Sequence, residues 1–232
     1  MSGFLFPLLA GALLNLDRRA FLQSMCGRPL MTGAVVGSLA GLPAQGLALG
    51  LWSELLWFWT VPVGGSHTPN PGLAVSAGII ALEIFLVFHP RPPEPSSLVS
   101  LVFVLVPAAA WLLILQDRLN RRLAGRIVGS LRESILRGEA DPPFFSRNLA
   151  GLLETFLLSL AFLSAAALFL SGILFLAAAF LPPSFFALAA RLHPLAPLTA
   201  FLGVAAFLSR GSFPPYLAGL SVGALVLILS RL

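Results

Sequence analysis

The chain has no lysine; its net charge of +5 is carried by fourteen arginines set against nine acidic residues. Charge of either sign is scarce, at 10% of the sequence, where a soluble domain carries roughly 25%. With 58% hydrophobic residues and a mean hydropathy of +0.95, the chain could not cover a water-facing surface. A single cysteine, Cys26, excludes an intrachain disulfide and a cysteine-only metal site, and reads as a small apolar filler. The three histidines, His67, His89 and His193, are far apart in sequence, and His89 and His193 each precede a proline in a loop-like segment. No Gly-Lys-Ser phosphate loop, no His-Glu-x-x-His, no Asp-rich phosphotransferase motif and no nucleophile–base pair is present. The expectation is therefore no catalytic residue, no metal and no cofactor on this chain. Nucleic acid is a poor reading of the basic balance, because the arginines fall in short turns between apolar runs, where orientation in a membrane explains them. No cleavable signal peptide is evident. These absences leave an all-α polytopic membrane protein in contact with lipid.

The apolar runs are irregular in length. Phe4 to Leu16 is short for a span of ~20 residues and reads as a tilted first helix or a half-span. Pro29 is expected to open the next helix, since proline suits a first helical position. Leu30 to Leu42 is rich in small residues, and Gly33 and Gly37, four apart, give a small-xxx-small face for close packing. Pro43 and Gly46 are expected to interrupt the run before it resumes as Leu47 to Trp59, which suggests broken or re-entrant helical hairpins. Gly72 to Phe88 and Leu98 to Leu115 read as single spans, with Glu83 inside the first and Pro107 a kink in the second. Segment 117–148 holds seven of the fourteen arginines, and Leu119, Leu123, Ile127 and Leu131 recur about every four residues, marking one amphipathic cytoplasmic helix. A lipid-surface helix and a docking surface for a soluble partner both give this pattern. Leu149 to Leu181 is too long for one upright span and reads as tilted or bent, with a break near Ser171-Gly172. Asp17 and Glu154 adjoin connectors and are expected to be solvated. The organisation expected is one integral-membrane domain over 1–232: an N-terminal membrane half, 1–116; the arginine-rich segment, 117–148; and a C-terminal membrane half, 149–232.

Residues 51–73 differ from the rest. An apolar helix carries Glu54 among Trp52, Trp57 and Trp59, and then breaks at Pro62, Gly64-Gly65, Pro69 and Pro71. Free peptide groups at membrane depth cost several kcal/mol each unless protein, water or ligand satisfies them. A charge at mid-bilayer costs roughly 2.5–3.5 kcal/mol on insertion scales, which makes Glu54 a functional candidate and Glu83 a weaker one. The alternatives for Glu54 are a neutral acid, or one that only satisfies the unpaired backbone nearby. As a site, Glu54 suits a polyhydroxylated, uncharged ligand. A carboxylate accepts from two neighbouring hydroxyls, and Ser66, His67, Thr68, Asn70 and freed peptide groups at Gly64 and Gly65 supply the rest. The tryptophans offer aromatic faces for a sugar ring, or form an interfacial belt.

Arg28-Pro29-Leu30, Val35-Val36-Gly37, Glu54, Pro62-Val63-Gly64-Gly65 and Pro69-Asn70-Pro71 occur in this order. This cluster resembles the IIC component of the mannose/fructose/sorbose family of the bacterial phosphotransferase system, most strongly over the first ninety residues. In that family a Leu-Glu pair, here Ser53-Glu54, precedes a Gly-Gly loop closing with Pro-Pro-Asp-Pro. The resemblance implies a sugar permease of the bacterial inner membrane that binds a hexose-type sugar and moves it inward. It implies an oligomeric complex with a IID membrane subunit and with cytoplasmic IIA and IIB proteins that carry the phosphoryl group, and no phosphorylated residue here. Glu54 and residue 70 would then face the sugar. The chain departs from the pattern at that point: Asn70 stands for the family's aspartate, and Thr68 for its proline. An amide lacks the carboxylate's two strong acceptor oxygens. A diverged, non-transporting homologue that anchors partner proteins is the alternative this substitution raises.

Overall fold

The computed structural model describes residues 3–18, 24–57, 69–138 and 144–198. Proline sets where most of its helices start. Eight α-helices occur among the described residues: α1 (Leu5–Asp17), α2 (Pro29–Leu39), α3 (Pro43–Trp57), α4 (Pro71–Phe88), α5 (Pro95–Leu112), α6 (Ile114–Leu136), α7 (Phe144–Phe180) and α8 (Pro183–Leu192), with a 3-10 turn at His193–Leu195. Five of them open on proline, whose missing N–H falls where no intrahelical acceptor exists. The all-helical reading holds.

At 11 and 15 residues, α2 and α3 are too short to cross a bilayer upright. They form a tight hairpin whose turn is made by Gly41 at φ +71°. Glycines make the seam. A Cβ on Gly37 would stand 2.8 Å from Gly46 Cα, and one on Gly50 2.7 Å from the Pro29 carbonyl, while Gly33 meets the Gly46 carbonyl more closely still. The small-xxx-small face is thus used, and the run is interrupted as expected ahead of Pro43, at residues 40–42, but not at Gly46. Pro43 is the first residue of α3, and Gly46 lies inside that helix as part of the contact.

The centre of the molecule is α4, with fourteen of its eighteen residues buried. It is packed by α1, α2, α3, α5 and α7. Phe4 stacks on Phe88 at one end, and the Arg18 guanidinium donates to the Pro69 carbonyl at the other (2.6 Å), so α1 runs antiparallel to α4. The Asn70 amide donates to the Ala110 carbonyl (3.1 Å), which makes α5 antiparallel as well. Phe85 packs on Phe175, and the α7 residue Ser159 lies near Asn70, so α7 runs parallel to α4.

Only Leu113 separates α5 from α6, yet the chemistry changes there from a helix without charge to one with five arginines. The amphipathic reading of α6 holds, with Leu119, Leu123, Ile127 and Leu131 half-buried and Gly138 at φ +70° after its end. The break expected near Ser171-Gly172 is absent. α7 runs unbroken for 37 residues, and the Ser171 hydroxyl bonds back to the Leu168 carbonyl at 2.9 Å. At about 1.5 Å per residue it is roughly 55 Å long, well beyond a ~30 Å hydrocarbon core. Its buried stripe (Thr155, Ser159, Leu163, Ala167, Leu170, Leu174) follows a helical period, while Leu157, Leu168, Phe169 and Leu176 face outward as a lipid-facing side would. Among the described residues, three helical runs, α4, α5–α6 and α7, are long and apolar enough to cross a membrane.

Candidate functional site

The polar end of this bundle is built on amides. Asn15 from α1, Asn70 ahead of α4, Gln116 from α6 and Ser159 from α7 are all buried, with Asp17, Asp117 and Thr155 buried beside them. Asn70 Nδ2 donates to Asn15 Oδ1 (2.8 Å) and, at longer range, to Gln116 Oε1 (3.4 Å). Asn15 Nδ2 and Gln116 Nε2 both donate to Ser159 Oγ, at 2.8 and 3.2 Å. The Ser159 hydroxyl in turn donates to the Thr155 carbonyl at 2.7 Å. Asn70 Oδ1 accepts from the Leu73 amide (3.3 Å), an N-cap that satisfies one of the orphan donors of α4. Each buried polar group here finds a partner inside the protein, as burial demands. Beside the ring lies a cavity lined by Asn15, Arg18, Asn70, Gln116, Asp117, Asn120 and Thr155. Its volume is about 10 Å³, room for roughly one water.

Glu54 sits on the last turns of α3, half-buried. Its Oε1 lies 3.3 Å from Arg28 Nε, and its Oε2 accepts from the Leu30 amide at 3.3 Å. The carboxylate therefore closes the N-terminus of α2, where a negative charge is favoured. It does not line the cavity beside Asn70. The two are joined through the 24–28 loop. Asp17 accepts from the Ser24 amide and hydroxyl (both 2.8 Å) and from the Gly27 amide (3.2 Å), and the Gly27 carbonyl lies directly against Gly72, where no Cβ would fit. Arg28, Glu54 and Asn70 are thus held at one end of the bundle by a continuous set of contacts.

Asp17 is buried at the polar end of α1, not solvated as expected, whereas Glu154 is half-buried. Burial alone would raise the Asp17 carboxyl, but hydrogen bonds from Ser24 and from the amides of Gly27 and Cys26 outweigh it and hold the group below its ordinary value. Its stabilising contribution is full above the unfolded-chain value of about 3.9 and is lost as pH falls through the lower folded value. Acidification below about pH 4 is expected to lower the Tm of detergent-solubilised protein, and Asp17→Asn to flatten that fall.

Of the other residues read as ligand-binding, Gly64, Gly65, Ser66 and His67 lie outside the described residues, as do Thr68 and Trp59. Trp52 is buried with its ring against Phe103 (5.3 Å) and His193 (4.9 Å), so it forms core. Sequence reasoning missed Asn15, Gln116, Thr155 and Ser159. The one available signal was an uncharged polar residue recurring on a single face of an apolar run, as Thr155 and Ser159 do four apart on α7.

Residues 3–116 match the family described as the PTS system sorbose-specific IIC component. The match covers just under half of the chain, and over those residues the chain is similar to that IIC family. No curated protein matches the chain. The IIC match takes in Asn15, Arg28, Glu54, Asn70 and Gln116, and stops short of Asn120, Thr155 and Ser159. The amide ring is therefore shared between the IIC-matched helices and α7, which lies beyond them. The similarity to a IIC component, with three helical runs among the described residues long and apolar enough to cross a bilayer, supports a membrane protein.

Proposed function

We propose that the chain is the membrane permease subunit of a phosphotransferase-system transporter, a single IIC domain over 1–232 in the bacterial inner membrane. It binds a hexose-type sugar and delivers it inward for phosphorylation by cytoplasmic IIA and IIB proteins, in an oligomeric complex with a IID subunit. The observation that carries the reading is the juxtaposition, within the IIC-matched half, of a half-buried carboxylate at Glu54 and a buried amide ring at Asn70. Amides donate and accept without net charge, which suits an uncharged polyhydroxyl ligand. Glu54 and Asn70 are the ligand residues on this reading, together with Gly64, Gly65, Ser66 and His67. Arg18, Arg28 and the arginines of α6 collect at the same end, which the positive-inside rule assigns to the cytoplasm. A cavity of about 10 Å³ is too small for a sugar ring, so binding requires α1 and α7 to part from α4. The test is uptake of radiolabelled hexoses by cells expressing the chain with IID, IIA and IIB proteins. Saturable uptake that needs all components supports the proposal, and no uptake with the full set overturns it.

One observation favours a second reading, a diverged scaffold that anchors IIB-type proteins without transport: the Asn70 side chain is committed to three partners within the chain. Asn70→Asp discriminates. It removes both donors and sets a carboxylate against the acceptor oxygens Asn15 Oδ1 and Gln116 Oε1, so a loss of about 1–3 kcal/mol is expected, read as a lower Tm. A variant that nevertheless gains uptake absent from the native chain favours the scaffold reading.

A further inference from the structure

The sugar reading leaves Glu83 unused. It lies in the span-length helix α4, about one and a half turns from its C-terminal end, and is only 8% exposed. Its Oε2 has no hydrogen-bond partner among the described residues. Its Oε1 lies against Gly3, where a Cβ would come to 3.2 Å, so the turn ahead of α1 closes over the carboxyl.

Nothing charged faces it among the described residues. The helices packed on α4 are α1, α2, α3, α5 and α7. α2 and α5 contain no ionisable side chain. α1 has only Asp17 and α3 only Glu54, both at the opposite end, and α7 has only Arg147 and Glu154, also toward that end. At the Glu83 end, His89 is stacked on Phe85 at 4.7 Å with Phe175 beyond it, and Arg91 and Glu94 are exposed in the following loop without an ion pair to Glu83.

A carboxylate with neither cation nor donor is not kept charged in such surroundings; the side chain takes up a proton instead. We propose that Glu83 is a proton-binding site of the membrane domain, a carboxylic acid that keeps its proton while the Gly3 segment is seated on α4 and exchanges it with water when that contact opens. The site is separate from the amide ring at the other end of α4 and stands whether or not the chain carries sugar.

The test uses the full chain in membranes, treated at neutral pH with the hydrophobic reagent dicyclohexylcarbodiimide and mapped by mass spectrometry. A carboxylic acid passes its proton to a carbodiimide nitrogen as its oxygen bonds the central carbon, and the resulting O-acylisourea rearranges to a stable N-acylurea. The expected adduct is on Glu83 and not on Glu54, whose charge is paired with Arg28. Infrared difference spectra decide the matter where the reagent does not reach the site. The native chain is expected to show the carbonyl stretch of a protonated carboxyl, shifted in D2O and missing from Glu83→Gln. A spectrum in which Glu83→Gln removes only carboxylate bands, or an adduct on Glu54 with Glu83 unmodified, overturns the proposal.

Discussion

Glu54→Gln is expected to cut initial-rate sugar uptake by the complete transporter while leaving the chain folded. Each charge-assisted hydrogen bond lost to a ligand is worth about 1.5–3 kcal/mol, or roughly ten- to a hundredfold in rate. The structural cost is much smaller. The Arg28–Glu54 pair is partly exposed, at 32% and 21% of the two side chains, and pairs of that kind contribute about 0–1 kcal/mol. A glutamine can still accept from the Leu30 amide, so α2 keeps its N-terminal partner. The two roles of this carboxylate, closing α2 and meeting a ligand, are therefore separable. A large fall in uptake with a Tm nearly unchanged assigns Glu54 to the ligand. Normal uptake removes the assignment, and a Tm loss that accounts for the uptake loss makes Glu54 a structural residue.

The largest expected effect on stability comes from the hairpin of α2 and α3. A Cβ on Gly46 would stand 2.6 Å from Gly37 Cα and would overlap the Gly33 carbonyl. Both obstacles are backbone, so neither can rotate aside, and the helices must separate. Gly46→Ala is expected to cost about 1–3 kcal/mol, the usual range for overpacking, and Gly46→Leu to abolish recovery of monodisperse protein from membranes. Gly125 and Gly129 on α6 are the controls, since nothing lies within 4 Å of a Cβ at either. Alanine there is expected to stabilise slightly, by about 0.5–1 kcal/mol of helix propensity. Tm in detergent reads both sets. Equal responses at Gly46 and Gly125 would remove the close seam as the reason for the glycines.

Much of the architecture was legible because its causes are local. Proline at a first helical position marks the start of α2, a four-residue repeat of leucine and isoleucine marks the half-buried side of α6, and long apolar runs mark α4, α5 and α7. Gly33 and Gly37 announced a close helix contact, though only the partner helix shows that Gly46 belongs to the same seam. Gly46 read as a breaker because glycine lowers helix propensity, and packing against Gly33 and Gly37 overrides that preference.

What the sequence by itself determined is the class: too few charges to live in water, arginines gathered near the ends of apolar runs, and a carboxylate beside a proline-broken stretch. The tertiary structure decided which polar groups meet. Asn15, Asn70, Gln116 and Ser159 are separated by more than forty positions each, and only the packing of α1, α4, α6 and α7 closes them into a ring. The same packing buries Asp17 under the 24–28 loop, joins Glu54 to Arg28 and leaves Glu83 facing no cation among the described residues. The reason is physical. Helix propensity and hydropathy act over a few residues, whereas the partner that satisfies a buried polar atom comes from wherever the fold brings another helix, and no local pattern records its distance along the chain.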